Sequence, residues 1–250
     1  MTSYPRHVHA DMQYANHTME YHLIESVHTE LGEVSLREVR LPVGIHYELR
    51  VNGIYVMATY CQESESELAW RALDLLKPST TSRGIEVLVG GLGMGITARE
   101  ALNSASVSEV VVVEIEPKVV EWCRRYFGRF NGNALDDART HVVTDDMTRY
   151  VARCDRAFDA ILLDMDNGPH QPILQRNQDL YGDSGLHRWH SLLRPGGVLS
   201  VWAAKPDTEF VASLEKIFEQ VYTYDVNTSV SLQTEYPDMV YCAVKHSAHE

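Results

Sequence analysis

The sequence is poor in basic residues. Its 250 residues include 22 Lys and Arg against 35 Asp and Glu, which gives a formal net charge of −13 at pH 7. The acids are spread along the chain, and no block of basic residues stands out. A chain with this balance is unsuited to holding nucleic acid through its phosphates, and it favours cationic or amine ligands over anionic ones. We therefore expect no nucleic-acid partner.

Cysteine is also scarce, and its spacing carries no metal signature. The chain has four cysteines and no CxxC pair, so we expect reduced, mostly buried thiols. Five of the twelve histidines crowd the first thirty residues, where His7 and His9 could begin a metal site. No carboxylate or cysteine set stands at metal-ligand spacing nearby, so a polar leader is the favoured interpretation and no metal is predicted.

Long hydrophobic runs are missing as well. No apolar stretch approaches the roughly 18 residues that a membrane-spanning helix needs. The N-terminal segment MTSYPRHVHADMQYANH has no apolar signal core. The sequence therefore predicts a cytoplasmic protein with no membrane partner.

The first part of the chain has the pattern of a small antiparallel sheet. Between about residues 21 and 59, polar and apolar residues alternate, and Leu31-Gly32, Pro42 to Gly44 and Asn52-Gly53 mark turns. Residues 64–76 then have helical spacing, and Pro78 ends the helix. We predict an N-terminal antiparallel β-sheet domain over residues 1–62.

From Gly84 onward, apolar strands alternate with amphipathic helices. Near-continuous Val, Ile and Leu runs of this kind predict a parallel sheet covered on both faces. The final two strands would pair antiparallel at one edge. We therefore predict an α/β domain over residues 63–250, with a Rossmann-like, seven-stranded, mostly parallel sheet as in class I methyltransferases. The predicted strands are 85–90, 109–115, 140–146, 158–165, 197–204, 221–227 and 238–245.

Glycines and acids follow four of these strands, at the edge where open α/β sheets bind ligands. A glycine loop that opens into a helix lets the backbone approach a ligand closely. An acid about 20 residues further on can bind ribose hydroxyls. Each acid alone could equally be a turn or helix-cap residue, but the whole set favours a ligand site. The predicted site residues are Gly91, Gly93, Gly95, Glu114, Asp145, Asp146, Asp164 and Asp166.

The glycine loop departs from two common nucleotide motifs. A dinucleotide fingerprint would have glycine at position 96, which is Ile96, and no P-loop lysine or Ser/Thr follows the glycines. The pattern therefore favours an adenosine ligand without a phosphate chain, such as S-adenosylmethionine or a relative.

The segments VLVGGLGMGITARE, VVVVEIEPKVVEWCRRYF, TDDMTRYV and FDAILLDMDNGP together resemble the spermidine synthase family. LYGDSGLHRWHSLLRPGGVLSVW continues the likeness, which covers roughly residues 50–245. The resemblance implies that the three glycines line the cofactor, that Glu114 holds the ribose, and that Asp145 holds the adenine amino group. It also places Asp164 beside the transferred group and makes a homodimer plausible.

The chain departs from the family pattern mainly in the half that binds the polyamine. Met94 stands where the family has the aspartate that meets the aminopropyl amine of decarboxylated S-adenosylmethionine. Val56 replaces a glutamine, Cys61-Gln62 an Asp-Glu pair, and Glu65 an acceptor-binding tyrosine. A later acceptor tyrosine falls near Gly185-Leu186. We expect Met94 to pack beside the cofactor tail and to favour intact S-adenosylmethionine, because an aspartate there would repel its carboxylate.

The two acids after the fourth strand suit chemistry on a cation. Carboxylates at Asp164 and Asp166 can hold an acceptor ammonium, orient its lone pair and accept or relay its proton. For Asp166, nucleation of the Asn167-Gly168-Pro169 turn is an equally good interpretation. On this basis the sequence predicts an S-adenosylmethionine-dependent methyltransferase that acts on a small amine. The alternatives are an aminopropyltransferase that uses decarboxylated S-adenosylmethionine and a non-catalytic adenosyl-binding protein.

Overall fold

The computed structural model describes residues 20–76, 83–165, 167–170, 172–226 and 236–246. The predicted site residue Asp166 and the histidines His7, His9 and His17 lie outside the described residues.

Four N-terminal strands form an antiparallel sheet in the order β1-β2-β3-β4. Asn52 and Gly53 connect the last two strands and have φ values of +52° and +76°, the positive-φ pair that a tight two-residue hairpin requires. The predicted sheet and its turns are confirmed. The strands are β1 Glu20–Thr29, β2 Gly32–Leu41, β3 Gly44–Val51 and β4 Ile54–Ala58.

A second sheet has seven strands in the order β10-β11-β9-β8-β5-β6-β7. Strands β5 to β9 pair in parallel, whereas β11 runs antiparallel to both β9 and β10. This confirms the predicted Rossmann-like methyltransferase fold with a separate N-terminal sheet. The strands are β5 Ile85–Gly90, β6 Val107–Glu114, β7 Thr140–Thr144, β8 Phe158–Leu163, β9 Leu193–Ala203, β10 Gln220–Val226 and β11 Asp238–Val244.

Eight α-helices connect the strands in the described part of the chain. They are α1 Glu63–Leu75, α2 Ile96–Leu102, α3 Pro117–Tyr126, α4 Gly128–Asn131, α5 Met147–Arg153, α6 Gln178–Tyr181, α7 Asp183–Leu192 and α8 Thr208–Glu215. Short 3₁₀ helices span Ala134–Asp136 and Gln175–Asn177.

Two helix boundaries differ from the sequence pattern. The pattern predicts no helix after β7, yet α5 forms there because the Asp146 side chain caps its first turn. The segment TEFVASLEKIFEQV has helical spacing over residues 208–221, but α8 ends at Glu215. The chain turns there, Phe218 is buried, and β10 begins at Gln220.

The valine-rich strands of the second sheet are buried on both faces, as the prediction of a covered parallel sheet requires. Val34, Leu36 and Leu49 of the N-terminal sheet join the same hydrophobic cluster as Val87 and Val89 of β5. The two sheets therefore share a core, and a domain boundary between residues 62 and 63 stays a prediction. No helix within the described ranges is long and apolar enough to cross a membrane.

Candidate active site

A large cavity lies between the N-terminal sheet and the carboxyl ends of the parallel strands. Its volume is about 1120 Å³ when the open solvent at its mouth is included. Leu31, Val34, Leu49 and Val51 of the N-terminal sheet region form an apolar wall. The facing wall is polar and comes from the strand ends.

The glycine loop after β5 has two residues on the cavity and one in the core. Gly91 and Gly93 line the cavity and have φ values of +87° and +49°. A Cβ on Gly91 would lie 2.4 Å from the backbone oxygen of Asp164, so only glycine fits this crossing of two strand ends. Gly95 does not line the cavity. It begins α2 with φ +79°, where a Cβ would lie 2.9 Å from Nδ2 of Asn131.

Glu114 ends β6 and lies against the glycine loop with only 8% of its surface exposed. The backbone N–H of Leu92 donates a hydrogen bond to Oε2 at 2.9 Å, and that of Glu116 donates to Oε1 at 2.8 Å. Burial raises the pKa of Glu114, although the backbone N–H groups oppose the rise. The backbone N–H of Gly93 also bonds to this carboxylate, which has about four acceptor positions in all, so one remains for a ribose hydroxyl from the cavity. That role stays a prediction.

Asp145 follows β7 and also lines the cavity. Its Oδ1 accepts the backbone N–H of Asp146 at 2.8 Å and lies 3.5 Å from Nε of Arg149, while Oδ2 pairs with Arg153. The two arginines are 67% and 63% exposed, so water and salt weaken both ion pairs. Contact between Asp145 and an adenine amino group stays a prediction.

The neighbouring Asp146 has a structural role that explains its burial. Its Oδ1 accepts the backbone N–H of Thr148 at 2.7 Å, which caps α5, and Oδ2 pairs with Arg176. Burial opposes ionisation, but the hydrogen bonds from Thr148 and Arg176 hold the pKa of Asp146 below its usual value. Asp146 reaches the cavity as well, so its predicted cofactor contact stays a prediction beside the cap.

Asp164 follows β8 and faces the cavity next to Gly91. The Thr97 hydroxyl donates a hydrogen bond to Oδ2 at 2.8 Å and fixes the carboxylate. Burial, followed by repulsion from Asp238, raises the pKa of Asp164 to about 6, although the Thr97 hydrogen bond lowers it. The predicted acid therefore lies in the cavity, where burial disfavours its charged form and the Thr97 hydroxyl favours it.

Met94 lies elsewhere than the sequence predicts. Its side chain is 1% exposed in the hydrophobic core, and it is not among the residues that line the cavity. The loop turns at Gly93 and Gly95, so the intervening side chain points inward, and its backbone oxygen accepts a hydrogen bond from Asn131 Nδ2 at 2.9 Å. A role for Met94 in choosing the cofactor does not fit this position, and we correct that expectation.

Glu65 on α1 is the site residue that the sequence prediction missed. It lines the cavity but is only 6% exposed, and it shares the buried stripe of α1 with Leu68, Ala69 and Ala72. Burial, followed by repulsion from Asp164, raises the pKa of Glu65 to about 8. The signal in the sequence was a glutamate three residues before Leu68 on the apolar face of an amphipathic helix.

The charge of the cavity is strongly negative. Three of its carboxylates, on Glu65, Glu114 and Asp164, form no ion pair with any described residue. The described lining also contains no Lys, Arg or His. Such a cavity attracts cations, and it offers no basic side chain to a carboxylate ligand. The lining carboxylates are Glu65, Glu114, Asp145, Asp146 and Asp164.

The sequence is similar to known proteins of one family. The spermine/spermidine synthase domain matches residues 75–250. A curated polyamine aminopropyltransferase 2 of Pseudomonas aeruginosa is 33% identical over 150 residues, which cover 56% of this chain and 41% of that protein. A polyamine aminopropyltransferase of Aeropyrum pernix is 30% identical over 190 residues, which cover 71% of this chain and 60% of that protein. The chain thus spans less than two thirds of the length of these relatives.

A solved structure of a spermidine synthase in complex with the transition-state analogue AdoDATO has the same fold. It superposes with a TM-score of 0.71 at 22% identity and covers 89% of this chain and 73% of that chain. At this identity the likeness supports the fold alone. The domain match, however, covers most of the sequence and all of the strand ends that carry the site. The chain belongs to the spermine/spermidine synthase family.

Proposed function

We propose that this protein transfers the aminopropyl group of decarboxylated S-adenosylmethionine to a small amine. The observation that carries the proposal is the charge of the cavity, in which three carboxylates lack an ion-pair partner and no described lining residue is basic. Aminopropyl transfer brings three cationic centres together: the sulfonium, the ammonium of the donor and the ammonium of the acceptor. The names of the relatives, which are aminopropyltransferases, also support this reaction.

The cavity has the parts that an adenosyl donor needs. Gly91 and Gly93 let the donor approach the backbone closely, and Glu114 presents a carboxylate where a ribose would lie. Glu114 and Asp145 lie at the β6 and β7 end of the strand row, whereas Asp164 lies at the β8 end. In this orientation the nucleoside occupies the β6 and β7 side, and the groups on sulfur point towards Asp164.

Asp164 holds the acceptor in line with the bond that breaks. The Thr97 hydroxyl fixes the carboxylate, which can then attract the acceptor cation and direct its nitrogen towards the carbon beside sulfur. Asp166 lies outside the described residues, so its part in binding the amine stays a prediction. A homodimer likewise stays a prediction from the family resemblance.

Methyl transfer from intact S-adenosylmethionine fits the cavity less well. The intact donor carries a carboxylate on the tail that the decarboxylated donor lacks. Within the described lining this carboxylate would meet acids and no basic side chain, and like charges repel strongly in a partly desolvated cavity. With Met94 in the core, the argument that favoured the intact donor no longer holds.

A product assay tests the proposal. The protein is incubated with decarboxylated S-adenosylmethionine and a panel of linear diamines and monoamines, and methylthioadenosine is measured by chromatography. We expect methylthioadenosine only when an amine is present. Asp164→Asn should keep the fold and lower turnover by at least about 100-fold, because the nearly isosteric amide carries no charge with which to hold the acceptor cation. Binding of donor without product from any amine would favour a non-catalytic adenosyl-binding protein.

A further inference from the structure

We propose that Glu65 is the base that takes the proton from the acceptor ammonium, while Asp164 keeps its charge and holds the amine in place. The inference deepens the proposed function and rests on it. It assigns the acceptor as a primary amine that binds in its protonated form between these two carboxylates.

Glu65 is buried, and no described residue gives its carboxylate a cationic partner. The residue is 6% exposed and lines the cavity from the first turn of α1. Its Oε2 accepts a hydrogen bond from the Ser64 hydroxyl at 3.0 Å, and its own backbone N–H also bonds to the carboxylate, but no described residue forms an ion pair with it. An ionised carboxylate without a cationic partner is costly at such depth. An ammonium that enters the cavity would supply the missing partner.

Every charged group that faces Glu65 in the described structure is acidic. Asp164 approaches from the end of β8 and Asp238 from the start of β11, and both repel the Glu65 carboxylate. Burial raises the pKa of Asp238 as well. No group of three or more His, Cys, Asp and Glu in the described ranges is arranged to hold a metal ion.

The surroundings of Glu65 suit it to accept a proton, and those of Asp164 suit it to hold the amine. An alkylammonium group has a pKa of about 10.4, and an ordinary glutamate, at about 4.3, is a poor acceptor of its proton. Burial and Asp164 raise the pKa of Glu65 to about 8, which brings it much closer to that of the ammonium. The Thr97 hydroxyl donates a hydrogen bond to Asp164 at 2.8 Å and lowers its pKa, which suits Asp164 to remain ionised and hold the amine.

The step balances in atoms and charge. The acceptor ammonium gives one proton to the carboxylate of Glu65, which becomes a neutral carboxylic acid. The freed nitrogen lone pair forms a bond to the aminopropyl carbon beside sulfur. The carbon–sulfur bond breaks, and its electron pair stays on sulfur, so the sulfonium becomes the neutral thioether methylthioadenosine. The product nitrogen is a secondary ammonium, and Glu65 later returns its proton to solvent.

Three variants on the same helix test this assignment by the product assay at several pH values. Glu65→Gln removes the base and keeps the size of the side chain, Glu65→Asp keeps a carboxylate, and Glu67→Gln removes a carboxylate that pairs with Arg71 outside the cavity. Calorimetry of methylthioadenosine binding reports whether each variant keeps the nucleoside site. Circular dichroism reports whether it keeps the fold.

We expect Glu65→Gln to lower kcat by at least about 100-fold while the Kd for methylthioadenosine changes by less than about threefold. The wild-type kcat/KM should rise with pH along a limb at or below pH 8, and this limb should be absent in Glu65→Gln. Glu65→Asp should recover part of the rate, and Glu67→Gln should behave as wild type. A folded Glu65→Gln variant with wild-type kcat and an unchanged pH profile would overturn the inference alone. Absence of methylthioadenosine from the wild-type protein with every amine would overturn the proposed function, and this inference with it.

Discussion

At the scale of single residues, the free energy of the site is dominated by carboxylates that are buried without a cation. Glu65 is the extreme case, because burial and a neighbouring acid both disfavour its charged form. A side chain of this kind destabilises the ligand-free protein when it ionises. It shares the buried face of α1 with Ser64, Leu68, Ala69 and Ala72, and in the proposed function a cationic ligand would offset its cost.

This cost should appear as a dependence of stability on pH. Glu65 has a folded pKa of about 8, above its unfolded value, so its contribution to stability is fully present below about pH 4.5 and is lost as the pH rises through 8. Glu65→Gln should therefore be more stable than the wild type above pH 8, by an amount on the order of a few kcal/mol, and close to it at pH 5. Urea unfolding at pH 5, 7 and 9 measures the difference. Equal stabilities at pH 9, with Glu67→Gln as the control, would show that Glu65 ionises without penalty.

At the scale of elements, the site depends on the crossing of the β5 and β8 ends. Gly91 lies directly on the backbone of Asp164, so the glycine loop and the acid-bearing loop hold each other in position. Glu114 links the same loop to the end of β6 through the N–H of Leu92. Three strand ends are thereby joined by backbone contacts, and the carboxylates keep their spacing without a bound ligand.

Alanine substitutions at two glycines can distinguish the effect of this close packing from the effect of backbone strain. Gly91 and Gly53 have φ values of +87° and +76°, so alanine is strained at both positions, by roughly 1–2 kcal/mol. A Cβ at Gly53 meets nothing within 4 Å, whereas one at Gly91 lies 2.4 Å from the Asp164 backbone oxygen. We expect Gly91→Ala to lower the free energy of unfolding by about 1–3 kcal/mol more than Gly53→Ala. It should also weaken methylthioadenosine binding, which Gly53→Ala should leave unchanged.

Denaturant unfolding and calorimetry of the two variants give both quantities. Equal losses of stability at positions 53 and 91, with binding intact in both, would mean that the β5 loop moves aside freely. The crossing would then have no part in holding the site.

At the scale of the whole molecule, the fold could be predicted from the sequence because its signals are local and repeated. Valine-rich runs predict buried parallel strands, and Asn52-Gly53 predicts a tight hairpin. Neither prediction depends on contacts with distant parts of the chain. The helix after β7 was missed because its start depends on one capping side chain, Asp146, and the sequence alone did not separate a helix cap from a ligand-site acid at this position.

The site was predicted in part, for reasons that follow from geometry. Acids that end strands share one edge of the sheet, so Glu114, Asp145 and Asp164 could be grouped from topology alone. The direction of the Met94 side chain depends on the left-handed turns on either side of it, which an ungapped alignment does not contain. Glu65 enters the cavity from a helix that precedes the glycine loop by about 25 positions, so only the folded chain brings it to Asp164.

The resulting molecule has one cavity wall that is apolar and one that is acidic, with no described basic residue between them. In the proposed function, this asymmetry would be the basis for the choice of donor. A decarboxylated donor gains attraction from the acidic wall at both of its charges, whereas an intact donor must place a carboxylate against the same wall.

The most direct test of this account is a competition between the two donors in one vessel. The wild-type protein receives equal concentrations of S-adenosylmethionine and decarboxylated S-adenosylmethionine with a reactive amine, and mass spectrometry quantifies both nucleoside products. We expect methylthioadenosine to exceed S-adenosylhomocysteine by at least about tenfold, which corresponds to about 1.4 kcal/mol. Predominant formation of S-adenosylhomocysteine, with transfer of a methyl group to the amine, would contradict the account and identify the protein as a methyltransferase.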